Sequence, residues 1–134
     1  MELKGRAPAR RKTALLLIAH GSRQPEANAD LHHVVEHLRG RGTYDVVEAC
    51  FLELAEPDLE QGGRCCVERG AEQVIMLPYF LSAGIHVRRD LTNARQSLAE
   101  RFPAIDFRLA EPLGQHPLLL DVVVQRARDA ERGE

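Results

Sequence analysis

The segment LPYFLSAGIHVRRDL, residues 77–91, interrupts an apolar run at Gly84 and then sets His86 ahead of Arg88, Arg89 and Asp90. A second histidine, His20, follows the apolar run TALLLIA within AHGSR, and the acidic Glu53 and Glu56 lie at and just past the end of DVVEACFLEL. Imidazole nitrogen combined with carboxylate oxygen suits cobalt, nickel, iron or zinc ions, and a set without thiolate holds such a cation less permanently than a structural cysteine site does. A neutral imidazole also accepts a proton. Arg23, Arg88 and Arg89 offer guanidinium forks for carboxylates on a ligand. Each residue has a plainer reading beside this one: a histidine at a strand end serves as a hydrogen-bonded cap, Arg88 and Arg89 as a solvated helix face, and Ser22 as a helix N-cap. Two histidines and Glu53 at corresponding places favour the functional reading.

Other reactive side chains are set aside. His33 and His37 stand one helical turn apart, but His32, His33 and His37 lie opposite Leu31, Val34 and Leu38 and read as exposed polar surface. His116, ahead of Pro117, reads as a helix-start or hydrogen-bonding residue. The three cysteines, Cys50, Cys65 and Cys66, are odd in number and lack C-x-x-C spacing, so they read as reduced, mostly core thiols.

The elements that position the candidates alternate along the chain. Residues 13–19, 45–54, 73–80 and 105–110 read as strands; 25–39, 57–69, 87–101 and 117–131 read as helices, with Pro25, Pro57 and Pro117 at three helix starts. The order βαβαβαβα specifies an α/β fold, a single domain with a parallel four-stranded sheet flanked by helices. Ligands gather outside the carboxyl ends of such strands, where His20, Glu53, the 81–86 segment and Gly114-Gln115-His116 all fall. With 134 residues, 44% apolar and 28% charged, the chain has the balance of one soluble globular domain, and its net charge of −2 gives no basic footprint for nucleic acid. The basic start imitates an export signal, but its apolar run from Ala14 to Ala19 is short and leads into an amphipathic helix. The expected organisation is a flexible basic tail over 1–12, a domain over 13–131 and a frayed end over 132–134. The expected setting is cytoplasmic, without a membrane partner.

Four fragments, LLLIAHGSR, FLELAEPDL, LPYFLSAGIHVRRDL and EPLGQHPLL, occur in an order and spacing that resemble the short sirohydrochlorin chelatases of the class II chelatase superfamily, from Thr13 to about Arg128. The resemblance implies insertion of a divalent metal into a modified tetrapyrrole, with Co2+ preferred and Fe2+ or Ni2+ as alternatives. The metal is then a substrate, and no permanent cofactor is expected. It further implies that His20, His86 and Glu53 form the metal-binding and catalytic set. Leu81, Ser82, Ala83, Gly84 and Ile85 would wrap the macrocycle, joined by Ser22, Arg23, Glu56, Arg88 and Arg89. Long family members contain two similar domains, so the resemblance implies a homodimer for this shorter chain.

Two other readings stay open. A non-catalytic carrier of metal or tetrapyrrole would use the same ligands. A histidine-phosphatase-like enzyme is suggested by the likeness of LLLIAHGSR to a strand ending in R-H-G, although Ala19 stands where the phosphate-binding arginine would be.

Overall fold

The computed structural model describes residues 11–133. Four strands, β1 (Thr13–Ala19), β2 (Val46–Phe51), β3 (Gln73–Pro78) and β4 (Asp106–Leu109), alternate with α1 (Pro25–Arg41), α2 (Leu59–Glu68), α3 (Ile85–Arg101) and α4 (Pro117–Glu131). All neighbouring strands pair in parallel, in the order β2-β1-β3-β4. β1 is central and its interior positions are buried, which explains a near-continuous aliphatic run rather than an alternating one.

The element order matches the sequence reading, while several boundaries move for local reasons. α1 continues through Gly40 to Arg41, because the left-handed turn that stops it is made by Gly42, whose N–H donates to the Arg39 carbonyl. α2 starts at Leu59 rather than Pro57, since Asp58 and Gln61 form a reciprocal capping box at 2.8 Å in both directions. α3 starts at Ile85, two residues early, with Gly84 as its N-cap. β2 ends at Phe51, so residues 52–54 belong to the following turn. Most of the expected tail lies outside the described residues; Arg11 and Lys12, assigned to it, are tied down by Arg11–Asp106 at 2.8 Å and by the Lys12 N–H on Glu72.

The sheet is covered on both sides. On one side α2 and α3 bring Cys66, Leu91 and Leu98 against Leu16, Ile18, Cys50, Val74 and Met76; on the other α1 brings Leu31 and Val35 against Leu15, Leu17, Val47 and Phe51. α2 sits close to β1 and β2 because Gly62 has no side chain: a Cβ there would lie 2.8 Å from that of Cys50 and 3.0 Å from a Leu16 methyl. All three cysteines are free, and Cys50 and Cys66 are wholly buried. Burial raises both thiols well above their ordinary range, Cys66 to about 12. α4 is the exception to this packing. None of its residues is buried, and Leu118, Leu120, Val122, Val123 and Val124 are 48–68% exposed.

Leu16 is fully buried between the sheet and α2. Leu16→Ala is expected to lower unfolding stability by about 3 kcal/mol through lost burial and the cavity left behind, read as a lower urea midpoint at unchanged slope.

Candidate functional site

The strand order fixes where a crevice can open. From β1 the chain crosses by α1 on one face to β2, and from β3 it crosses by α3 on the opposite face to β4. The carboxyl ends of β1 and β3, adjacent and leading to helices on opposite faces, form the topological switch point where such sheets bind ligands. His20 follows β1, and the 79–86 segment follows β3.

At this edge the turn after β1 lies on the turn after β2. The Leu52 N–H donates to the Ala19 carbonyl at 2.9 Å, and the Glu53 N–H donates to the His20 carbonyl at 3.0 Å, extending the strand pairing two residues past β2. Gly21 makes this approach possible: its φ is +95°, and a Cβ there would overlap the Glu53 carbonyl oxygen. His20 is exposed, and its ring stacks on Phe80 with centroids 4.4 Å apart and planes 29° apart. One imidazole is thus held between the ends of β2 and β3, its orientation set by an aromatic neighbour.

His86 lies in the first turn of α3, not in the loop, and is exposed. Glu53 and Glu56 are exposed as well. The three predicted ligands share the carboxyl edge, yet among the described residues no three His, Cys, Asp or Glu side chains stand close enough together to hold a metal ion. The structure brings His20 and Glu53 together through the backbone and leaves His86 at the mouth of the neighbouring helix.

Ser22 is not the helix cap. Gln24 is the N-cap, without a side-chain bond, while the Ser22 hydroxyl accepts from the Gln24 N–H at 3.0 Å. The Ser22 backbone is clamped by Asn28, whose carboxamide accepts from the Ser22 N–H at 3.0 Å and donates to its carbonyl at 2.8 Å. Ser22 therefore shapes the turn that carries His20. Arg88 is directed back along its own loop: its Nε donates to the Ala83 carbonyl at 3.1 Å, and its Nη1 lies 3.6 Å from the Glu111 carboxylate. Arg23 and Arg89 are exposed and make no ion pair with a described residue.

Leu81, Ser82 and Arg88 also line a cavity of about 610 Å³, closed on its other side by residues 111–116. His116 belongs to that wall as the N-cap of α4, its Nδ1 accepting from the Leu118 N–H at 3.1 Å, which is the helix-start role read from the sequence. His32, His33 and His37 are exposed as expected, although the His32 ring meets Phe51 edge-on at 5.7 Å. Sequence reasoning missed Phe80, Asn28 and Glu111. Phe80 and Asn28 flank the histidine-bearing turn, and an aromatic within two residues of a strand end is a signal that could have flagged the first.

The family model described as CbiX matches residues 14–130. The chain is 37% identical over 112 residues to the chloroplastic sirohydrochlorin ferrochelatase of Arabidopsis thaliana, covering 84% of this chain and 50% of that protein. It is 30% identical over 116 residues to the sirohydrochlorin cobaltochelatase of Sulfolobus acidocaldarius, covering 87% of this chain and 90% of that one. The crystal structure of the sirohydrochlorin chelatase SirB from Bacillus subtilis subspecies spizizenii in complex with cobalt has a TM-score of 0.80 at 30% identity, over 88% of this chain and 50% of that one. The chain spans about half the length of the first curated relatives it matches.

Gly21→Ala tests whether the edge depends on this close approach. It should cost about 3 kcal/mol, because left-handed strain adds to a clash with rigid backbone, and should be seen as a lower urea midpoint.

Proposed function

The chain belongs to the CbiX family, and on that premise we propose that it is a sirohydrochlorin chelatase, inserting a divalent metal into a modified tetrapyrrole in cobalamin or siroheme synthesis. Co2+ is the preferred cargo, with Fe2+ and Ni2+ as alternatives. The observation that carries the reading is the arrangement at the switch point, where His20 stands between the ends of β2 and β3 and is stacked on Phe80, beside the 81–86 segment.

Insertion exchanges two pyrrole N–H protons for one M2+. In this reading His20, His86 and Glu53 hold the arriving cation, and the imidazoles accept the departing protons, so delivery and deprotonation share one place. The exposed Leu81 and Ile85 contact the macrocycle together with Ser82, Ala83 and Gly84, and Glu56 faces it from the segment between β2 and α2. Arg23, Arg88 and Arg89 bind its carboxylates, for which Arg88 must exchange its Glu111 partner. Ser22 contributes by holding the turn beneath.

Residues 13–131 form the catalytic domain, working in the cytoplasm as a homodimer. The exposed apolar side chains of α4 support the dimer. Helical spacing puts Leu120, Val123 and Val124 on one side of α4, an exposed apolar stripe of the kind that a partner surface covers. Among the described residues no helix is long and apolar enough to cross a membrane.

Mixing the protein with sirohydrochlorin and Co2+ should accelerate the absorption change of insertion over the protein-free rate. His20→Ala and His86→Ala should each slow it by about 100-fold or more, and Arg88→Ala should chiefly raise KM. No acceleration rejects the enzyme, and unchanged acceleration in both histidine variants rejects the site. Light scattering should give a dimer for the wild type and a folded monomer for Leu120→Asp/Val123→Asp; a wild-type monomer of full activity overturns the assembly.

A further inference from the structure

Among the described residues the exposed large hydrophobic side chains fall in two places: five on α4, and Leu54, Leu81 and Ile85 at the carboxyl edge of the sheet. Leu54 differs from all of them in its backbone. It is the one non-glycine residue among those described with a positive φ, +66°, a conformation that a branched side chain adopts only under strain. Glycine or asparagine would occupy that turn without the penalty.

Among the described residues neither hydrophobic cluster takes up the Leu54 side chain. The neighbouring Leu52 packs against the cluster under α2 and α3, and Ala55 packs against the cluster under α1, but Leu54 joins neither and is 52% exposed. Residues held in sparsely populated conformations persist at sites where the strain serves a ligand, and a local rule broken without a compensating contact points the same way. The location agrees. Leu54 follows Glu53, whose N–H is bonded to the His20 carbonyl, so it stands on the β2 side of His20 while Phe80 and Leu81 stand on the β3 side.

We propose that Leu54 is a substrate-positioning residue, its side chain supplying an apolar contact to the tetrapyrrole face across His20 from Leu81. The inference rests on the chelatase reading for the identity of the ligand. The left-handed backbone lifts the side chain away from the core and presents it at the edge, and the macrocycle supplies the burial that the ligand-free chain lacks. Leu54 acts on placement of the ring and takes no part in proton or metal transfer.

Three variants test this at a temperature where circular dichroism shows each to be folded. Leu54→Gly and Leu54→Asn relieve the strain and remove the apolar contact; Leu54→Met keeps the contact. Binding of metal-free sirohydrochlorin, followed by fluorescence, is expected to weaken about tenfold in the first two, with melting temperature equal to or above wild type, kcat within twofold and KM raised. Leu54→Met should bind within twofold of wild type. If Leu54→Gly and Leu54→Asn bind like wild type while insertion proceeds, Leu54 is only a turn residue and the inference fails, leaving the enzyme reading intact. If the wild type binds the tetrapyrrole without accelerating insertion and the variants still bind weakly, Leu54 keeps its role and the enzyme reading falls. No binding by the wild type overturns both.

Discussion

The missing side chain at Gly21 is the constraint on which the edge of this molecule depends. Because nothing projects from that α-carbon, the turn leaving β1 settles onto the Glu53 carbonyl, and the pairing of β1 with β2 runs on past the last formal strand residue. His20 and Glu53 become neighbours through backbone hydrogen bonds, so their proximity survives any side-chain rotation. On the other flank β3 holds Phe80 against the His20 ring. Asn28 closes the remaining freedom by binding both polar groups of the Ser22 backbone. The sheet order supplies the rest, since helices departing to opposite faces from β1 and β3 leave the space above those two strand ends open.

Much of the fold could be read from the chain, because aliphatic runs and helical periodicity are strong signals at this length. β1 and α4 were read to the residue, and the strand count, helix count and order were all legible. What escaped were ends set by short-range chemistry. Asp58 and Gln61 satisfy each other's backbone donors and so begin α2 after Pro57, whose ring had looked like the first helical position. Gly42 rather than Gly40 takes the left-handed stop. Periodicity marks 117–131 as a helix, yet a pattern cannot say what surface its apolar residues meet, and among the described residues none of its side chains is buried.

The candidate site divides in the same way. Residue types and strand-end positions pointed to His20, Glu53 and the 81–86 segment, and these do lie along one edge. Orientation was invisible: Arg88 turns toward Ala83 and Glu111, and His86 occupies a helical turn where a loop was expected. The wall made by residues 111–116 was equally hidden, because it arrives from a distant part of the chain and only the folded sheet brings it to Leu81 and Ser82.

The burial of Cys50 and Cys66 has a consequence for any traffic in soft divalent ions. A thiol competes for such ions as its thiolate, and both of these are kept protonated inside the sheet-helix core, Cys50 only three residues from Glu53. The strongest potential scavengers in this part of the chain are thereby silenced where they stand. The exposed side chains of His20, Glu53, Glu56 and His86 along this edge therefore offer nitrogen and oxygen donors with no thiolate beneath them.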